Sequence, residues 1–273
     1  MSFVPAPGVI EGQTLAGDMT FDCDVCVVGS GAGGAVAAHT LQKAGKKVLV
    51  LEEGGYYTSE RFRMLEGESM HALYQSAGLQ ATKDGALAVL QGRAVGGTTV
   101  VNWTTCYRTP DKVLDQWKNK FQVRGFERKD LEPHWQTVEE RLNIGAWPLD
   151  KANRNNKILW DGCKALGYEA HELHRNVKAC ANTGYCGLGC PVDAKQSMLV
   201  SYLPDAMDLG ATVVSRCRVE RLVMSGDAVS AIEAVLLEAD GRKPTGVRLT
   251  VKAKTFILAA GAIGTPGILL RSR

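Results

Sequence analysis

The sequence has little excess charge of either sign and nothing that resembles an export or membrane signal. Its 32 lysines and arginines face 29 acidic residues, which leaves a formal net charge of +3. No basic stripe follows from this interspersed pattern, so nucleic acid is excluded as a predicted partner. Residues 1–20 lack a basic segment followed by an apolar core, and no later run of about 18 apolar residues occurs. We therefore expect a soluble, cytoplasmic protein, with peripheral attachment to a membrane left open.

Internal repeats, long linkers and low-complexity tracts are also missing from the 273 residues, of which 45% are hydrophobic. A chain of this length and composition can build a sizeable core. Its 30 glycines include four clusters, at residues 29–34, 92–97, 184–189 and 261–267. We expect these distant segments to converge on one ligand within a single interleaved α/β body.

The first glycine cluster lies in a segment, residues 24–54, that reads as strand, turn, helix and strand. The two strands are predicted at residues 25–28 and 48–51. Gly29, Gly31 and Gly34 have the spacing that makes a tight turn, lets the backbone approach a pyrophosphate and packs helix closely on strand. The helix directs its unpaired amides at the phosphates, and Glu52 is expected to accept a ribose hydroxyl. This pattern predicts a dinucleotide site, against the alternative of an ordinary surface turn, without choosing the dinucleotide.

A second glycine turn, GRAVGGTTVVN at residues 92–102, follows an apolar stretch at residues 86–90 that predicts a strand. Such a turn can lie flat against a planar ring. Thr98 and Asn102 offer hydroxyl and amide groups, and Arg93 offers a fixed positive charge for a diphosphate. The alternative is a β-turn with a solvated arginine.

The C-terminal third is predicted to add further strands to the sheet. Residues 255–261, TFILAAG, read as a strand, and Pro266 is placed to begin a helix. Before it, residues 211–222, 231–237 and 247–251 read as strands separated by glycine turns. These three segments predict a small antiparallel β insertion before the last parallel strand.

Together these motifs resemble the glucose-methanol-choline (GMC) oxidoreductase family, over residues 22–272. Residues 92–102 are similar to its first signature, and the second is matched by Gly261-Ala262, Thr265-Pro266, Ile268-Leu269 and Ser272. The resemblance implies an α/β fold over residues 1–273: a Rossmann-like FAD-binding domain, with a βαβ unit at residues 22–56, a parallel sheet and a small antiparallel β insertion. Cys106, Thr109 and Arg273 depart from the signatures, which blurs the subfamily more than the cofactor.

The resemblance also implies FAD as cofactor and positions for the residues that bind it. Gly29, Gly31 and Gly34 would lie at the pyrophosphate and Glu52 at the adenosine ribose. The remaining implied contacts are Gly97, Thr98 and Asn102 near the flavin, and Val219 and Ala260 around the adenine. The first glycine motif alone also permits a nicotinamide-linked dehydrogenase, which does not account for the later glycine clusters.

The implied activity is oxidation of a CH–OH group, with hydride passing to the flavin. The segment NWTTCYRTP at residues 102–110 looks closer to the bacterial long-chain alcohol oxidase and dehydrogenase branch than to the sugar oxidases. A small-molecule primary alcohol of hydrophobic character is therefore the expected substrate. An electron-acceptor protein or a quinone is the expected partner for reoxidation.

Three cysteines, Cys180, Cys186 and Cys190, lie in the short glycine-rich segment CANTGYCGLGC, which precedes a proline. Several cysteines on one short loop are typical of iron–sulfur sites, and three ligands would suit a three-iron cluster. Zinc would need a fourth ligand, such as His171 or His174, and disulfides would need an export context. Buried reduced cysteines that shape a loop over the flavin are the remaining alternative.

No catalytic residue can be assigned from the sequence. A histidine base suits alcohol oxidation, but the resemblance places that histidine beyond residue 273, and none of the five histidines present lies in a similar motif. These are His39, His71, His134, His171 and His174. The chain reads as a fragment that ends before the substrate domain is complete, so we expect it to bind FAD weakly or not at all and to oxidise nothing alone. A non-catalytic flavin-binding subunit, or pseudoenzyme fragment, is the alternative from another functional class.

Overall fold

The computed structural model describes residues 6–273. Residues 1–5, which open the predicted domain, lie outside the described part. The strands are β1 (Val9–Glu11), β2 (Met19–Val28), β3 (Val48–Leu51), β4 (Thr105–Cys106), β5 (Ile144–Ala146), β6 (His174–Asn176), β7 (Thr212–Ser215), β8 (Cys217–Ser225), β9 (Ala228–Leu237) and β10 (Pro244–Leu258). The helices are α1 (Ala32–Lys43), α2 (Glu66–Leu73), α3 (Asp111–Phe121), α4 (Arg128–Arg141), α5 (Arg154–Ala165), α6 (Tyr202–Asp208) and α7 (Gly261–Arg271).

The main sheet has seven strands in the order β1-β7-β3-β2-β10-β9-β8. From β1 to β10 the neighbouring strands pair in parallel, and β2 lies between β3 and β10. In this register Val28 lies opposite both Leu51 and Leu258. The carboxyl ends of β2, β3 and β10 therefore meet at one edge of the sheet, which is where parallel α/β sheets bind ligands.

The other end of the sheet is antiparallel. Strand β9 pairs antiparallel with both β8 and β10, and β10 then runs parallel to β2. The predicted parallel sheet with a small antiparallel insertion is thus confirmed. Where the sequence suggested one strand over residues 211–222, the structure has two, β7 and β8, because Arg216 adopts a left-handed conformation with φ 52° between them.

The core explains why the parallel strands are continuous apolar runs. All four residues of β3 and the last four of β2 are buried, as expected for strands covered on both faces. Helix α1 packs against α6 and β3, and the His39 ring meets the Tyr202 ring edge-on at 5.5 Å. Ala35 and Ala38 are fully buried on α1, since only small side chains allow the helix to lie this close to the sheet.

Two sequence-based expectations are wrong in detail. Residues 86–90 form no strand: Leu87 is 65% exposed, and the chain makes only an isolated bridge between Ala81 and Ala88. Apolar composition alone could not show that this stretch lacks a second layer to bury it. Pro266 does not begin a helix either, because α7 begins at Gly261 and contains the proline.

The chain divides into two compact units. The first holds the seven-stranded sheet and consists of residues 1–102, 182–193 and 197–273, and the second consists of residues 103–181 and 194–196. The sequence suggested one interleaved body, and the single domain over residues 1–273 stays a prediction. Within residues 6–273, no helix has both the length and the apolar character needed to cross a membrane.

The second unit contains α3, α4, α5 and a three-stranded antiparallel sheet in the order β4-β6-β5. Its helix α4 begins with a capping box, in which Glu127 and Asp130 each accept a hydrogen bond from the other's backbone amide. The Arg108 guanidinium donates to Glu132 and Glu139, each at 2.7 Å, and so fixes the segment after β4 against α4.

Candidate cofactor cleft

A cleft of about 970 Å³ lies at the carboxyl ends of the parallel strands, entirely within the first unit. Its walls come from three glycine-containing segments and from the end of the antiparallel insertion. Residues that line it include Val28, Gly29, Gly31, Ala32, Gly33, Leu51, Glu52, Glu53, Gly92, Arg93, Gly97, Thr98, Thr99, Cys217, Val219, Ala259, Ala260, Gly261 and Gly264.

The first glycine turn connects β2 to α1, and each of its glycines is surrounded differently. Gly29 has φ 98°, and a Cβ there would lie 2.5 Å from the Ala259 carbonyl oxygen. A Cβ on Gly34 would collide with the Gly29 carbonyl, so this glycine lets the helix pack on the turn. A Cβ on Gly31 would meet only the Gly97 Cα, at 3.8 Å, within the first unit. Gly31 is thus not required by protein packing, and the space in front of it belongs to the cleft.

The amino end of α1 faces the cleft. Gly31 is its N-cap and has no side-chain cap, and Ala32 and Gly33 follow in the cleft wall. A Cβ on Gly33 would meet no atom within 4 Å. The first amides of a helix have no partner within the helix and carry its positive dipole end. This end of α1 is therefore open to an anion.

The Glu52 carboxylate, at the end of β3, accepts three hydrogen bonds. The Ser30 amide donates at 3.0 Å, the Ser30 hydroxyl at 2.6 Å and the Gly54 amide at 2.8 Å. The Ser30 oxygen in turn accepts from the Gly96 amide at 2.9 Å. One buried carboxylate and one buried hydroxyl thus join the first glycine turn, the end of β3 and the second glycine turn.

Burial governs the ionisation of Glu52, which is 7% exposed. Desolvation raises the pKa of this carboxyl above its usual range, and the hydrogen bonds from Ser30 and Gly54 act in the opposite direction. A carboxylate that is ionised here depends on those donors, because no cation forms an ion pair with it among the described residues.

The second glycine turn is shaped by its own threonines. Gly96 and Gly97 have φ of 100° and 58°, and a Cβ on Gly97 would lie 2.7 Å from the Gly31 Cα. The Thr98 hydroxyl accepts from the Gly92 amide at 3.0 Å. The Thr99 hydroxyl donates to the Gly96 carbonyl at 2.6 Å and accepts from the Met198 amide at 3.0 Å. The two glycine turns therefore touch through their backbones.

Arg93 lies in the cleft wall beside an acid and a second arginine. Its Nε is 3.3 Å from the Glu53 carboxylate. A Cβ on Gly241 would come within about 3 Å of both Arg93 and Arg216, so the two guanidiniums lie close together. The positive charge of Arg93, which was predicted to bind a diphosphate, is therefore partly offset by the Glu53 carboxylate.

The opposite wall comes from β8 and the amino end of α7. Val219 lies on β8, and Ala260 is the N-cap of α7. Gly261 has φ 77°, which a larger residue would adopt only with strain. Burial raises the pKa of the Cys217 thiol, so this cleft cysteine stays protonated near neutral pH. Two helix amino ends, of α1 and α7, thus reach the same cleft.

Eight of the ten residues predicted to bind the cofactor line the cleft, namely Gly29, Gly31, Glu52, Arg93, Gly97, Thr98, Val219 and Ala260. Gly34 and Asn102 do not line it. Their binding roles stay predictions. Ser30 lies inside the first glycine motif and was not predicted as a site residue. A hydroxyl between two of the motif glycines is the signal that could have drawn attention to it.

The cysteine-rich segment does not gain support as a metal site. Cys180 belongs to the second unit, whereas Cys186 and Cys190 belong to the first. Across residues 6–273, no group of three or more histidine, cysteine, aspartate or glutamate side chains is placed to hold a metal ion. The iron–sulfur cluster stays a prediction from spacing alone.

The histidines lie elsewhere. Among the described residues that line the cleft, none is a histidine. His39 packs on Tyr202, and the His71 Nδ1 lies 2.8 Å from the Gly67 carbonyl. The structure thus adds no candidate for a general base.

Comparison with known proteins agrees with this geometry. The family described as GMC oxidoreductase matches residues 70–273, and the NAD(P)-binding Rossmann-like domain matches residues 27–73. An uncharacterized GMC-type oxidoreductase of Mycobacterium tuberculosis (strain ATCC 25618 / H37Rv) is 39% identical over 251 residues, which are 91% of this chain and 39% of that protein. Long-chain-alcohol oxidase FAO4B of Arabidopsis thaliana is 36% identical over 256 residues, which cover 92% of this chain and 34% of the oxidase.

A solved structure shows the same fold. Pyridoxine 4-oxidase from Mesorbium loti superposes with a TM-score of 0.69 at 21% identity, over 92% of this chain and 52% of that one. The family resemblance and the Rossmann-like α/β fold are confirmed. The chain spans between 34% and 39% of the length of the two curated relatives above.

The link between the two glycine turns predicts the effect of Ser30→Ala. The substitution removes a donor to Glu52 and leaves the buried Gly96 amide without its acceptor, so we expect a loss of about 1–3 kcal/mol in the free energy of unfolding. Urea unfolding followed by circular dichroism measures it. Ser225→Ala is the matched control, since Ser225 is exposed, and should change stability by less than about 0.5 kcal/mol. Equal losses in both variants would contradict the link.

The Glu52 carboxyl predicts a pH effect. Because its pKa is raised in the folded chain, the folded state holds the proton more tightly than the unfolded state. The contribution of Glu52 to the free energy of unfolding is therefore largest at low pH, where the carboxyl is protonated in both states. This contribution decreases as pH rises from about 4.5, near the pKa of the unfolded chain, through the raised pKa of the folded chain. Glu52→Gln removes that contribution. Urea unfolding of wild type and variant at several pH values measures the effect. We expect the free energy of unfolding of the wild type, minus that of the variant, to decrease over this pH interval. A constant or rising difference contradicts the assignment.

Proposed function

The chain belongs to the GMC oxidoreductase family, and we propose on that premise that it is the FAD-binding part of an oxidoreductase that acts on the CH–OH group of an alcohol. The observation that carries this proposal is the cleft in which two glycine turns and two helix amino ends meet at the carboxyl ends of the parallel strands. Each of these features supplies backbone amides where side chains are absent.

The residues present fit FAD in size and chemistry. A cleft of about 970 Å³ is large enough for an extended dinucleotide. Gly31 and Gly33 leave open space where a Cβ would stand, directly at the amino end of α1. That combination suits a pyrophosphate, which needs close backbone approach and a positive dipole end.

The proposed contacts divide between the two halves of the cofactor. Gly29, Gly31 and the first amides of α1 would bind the pyrophosphate, and Glu52 would accept a ribose hydroxyl. Val219 and Ala260 would contact the adenine, while Gly97 and Thr98 would lie at the flavin. Gly34 supports this set indirectly through the packing of α1. Arg93 would offset part of the phosphate charge, although the nearby Glu53 carboxylate already offsets part of the charge of Arg93.

FAD would supply the hydride acceptor for alcohol oxidation when bound. This chain contributes the binding surface: backbone amides that hold the phosphates, and a Glu52 side chain whose position is fixed by Ser30 and Gly54. The proposal assigns no catalytic residue to the chain and includes no iron–sulfur cluster.

A hydrophobic primary alcohol is the proposed substrate. Support comes from the 36% identity with a long-chain-alcohol oxidase of Arabidopsis thaliana. Residues 102–110 add to it, because they resemble the bacterial long-chain alcohol oxidase and dehydrogenase branch. A quinone or an electron-acceptor protein is proposed to reoxidise the flavin.

Ligand titration separates this proposal from its alternatives. Binding of FAD, FMN and NAD to the apoprotein is measured by fluorescence quenching or calorimetry. The sequence alone left open whether this chain binds FAD at all, but because the whole cleft lies within the first unit, we expect FAD to bind, weakly but measurably. FMN should bind at least about tenfold more weakly, since it lacks the adenosine that Glu52 would contact. Preference for NAD would instead support a nicotinamide-linked dehydrogenase. Absence of any FAD binding by the chain would overturn the proposal.

Gly31→Ala tests the phosphate position without disturbing the fold. Its Cβ would make an ordinary 3.8 Å contact with Gly97, so the stability of the apoprotein should change by less than about 1 kcal/mol. The methyl group would project where a phosphate approaches, and we expect the affinity for FAD to fall at least about tenfold. Gly67→Ala, in α2 with no neighbour within 4 Å of its Cβ, is the control and should leave FAD affinity unchanged. Equal affinity of the Gly31→Ala and Gly67→Ala variants for FAD would refute the proposed site.

A further inference from the structure

The last turn of α3 and the connection that follows it, in the second unit, expose nine consecutive residues, 118–126, with the sequence KNKFQVRGF. We name this segment the 118–126 turn. Phe121 is 59% exposed, Phe126 is 49% exposed and Val123 is 36% exposed. The same nine residues include three cations, Lys118, Lys120 and Arg124, and no acid.

The turn is held in a defined conformation. Helix α3 ends at Phe121, and its C-cap Gln122 is left-handed with φ 54°. The amides of Gln122 and Val123 both donate to the Trp117 carbonyl. Two ion pairs join the flanking helices: Lys118 with Glu127 at 2.8 Å and Arg128 with Asp111 at 2.7 Å. The apolar side chains are therefore presented by a fixed scaffold.

Charge and apolar groups alternate closely along the turn. Lys120 places its Nζ 5.5 Å from the centre of the Phe121 ring, and Arg124 lies between Val123 and Phe126 in sequence. Single exposed apolar residues are normal on proteins. Three of them within six positions, with Lys120 and Arg124 between them and the Glu127 carboxylate already paired with Lys118, have the composition of a segment that inserts into the headgroup region of an anionic bilayer.

We propose that the 118–126 turn docks this chain on anionic lipid surfaces, with Phe121, Val123 and Phe126 inserted and Lys120 and Arg124 at the headgroups. This inference is independent of flavin binding. A lipid surface is favoured over a protein partner because three side chains at the tip of a turn offer far less area than the roughly 800 Å² per partner of a stable protein interface. Shallow insertion next to headgroup charge needs no such area.

Vesicle co-sedimentation of the full chain tests the proposal. Vesicles of phosphatidylcholine alone are compared with vesicles of phosphatidylcholine mixed with phosphatidylserine, at low and at physiological salt. We expect binding to the mixed vesicles only, weaker at higher salt because the charges are screened. Lack of binding to the mixed vesicles at low salt would overturn the proposal.

Two double variants separate the apolar and charged contributions. Phe121→Ser with Phe126→Ser, and Lys120→Glu with Arg124→Glu, should each lower the partition coefficient at least about tenfold. The matched controls lie on or just after α5 in the same unit: Leu159→Ser with Leu166→Ser, both exposed, and Lys157→Glu with Lys164→Glu. Since all eight positions are exposed, circular dichroism melting should show folded proteins.

The outcomes are distinct. Binding that is lost in the turn variants and kept in the α5 variants supports the proposal. Equal loss in both sets would mean that general charge or hydrophobicity, not the turn, drives binding, and would refute it. Concentration-dependent self-association that the Phe121 and Phe126 changes abolish, without lipid binding by the wild type, would assign the turn to a second copy of the chain instead.

Discussion

Three hydrogen bonds to one buried carboxylate hold the cleft together. Glu52 stands where β3 ends, and it accepts from the first glycine turn and from Gly54. Through the Ser30 hydroxyl, the same arrangement reaches the Gly96 amide in the second turn. Desolvation acts against this buried group and raises its pKa, and the donors offset part of the cost of burying it. The two glycine turns can approach within backbone contact because this arrangement fixes their relative position.

A cleft built in this way offers a phosphate mainly backbone amides. The amino ends of α1 and α7 and the glycine turns present amides, and one cation in the wall, Arg93, is already close to Glu53. Backbone amides carry no titratable proton in the neutral range and are fixed before a ligand arrives. Recognition of a phosphate by such a surface depends on the absence of Cβ atoms at positions such as Gly31 and Gly33, more than on the presence of any side chain.

The sequence predicted the parts of this site that depend on local spacing. Gly29, Gly31 and Gly34 lie within one turn and helix start, so their spacing alone indicates what the backbone must do there. Long-range contacts were not accessible in the same way. Ser30 meets Gly96 across 66 positions, and no local pattern encodes that meeting. Residues 86–90 failed as a predicted strand for a related reason: apolar character shows what could be buried, but not whether another layer is there to bury it. Exposure of the 118–126 turn is likewise a property of the fold, although its composition is plain in the sequence.

The pairing of β2 with β10 has a consequence for synthesis of the chain. The two strands are adjacent in the sheet, yet Asp24 and Lys254, which bond across them at 2.8 Å, are 230 positions apart. During translation one side of β2 therefore stays an open strand edge until the residues of β10 have left the ribosome. Such an edge is a template for mispairing with other nascent chains. The centre of the sheet is thus completed only when β10 pairs with β2.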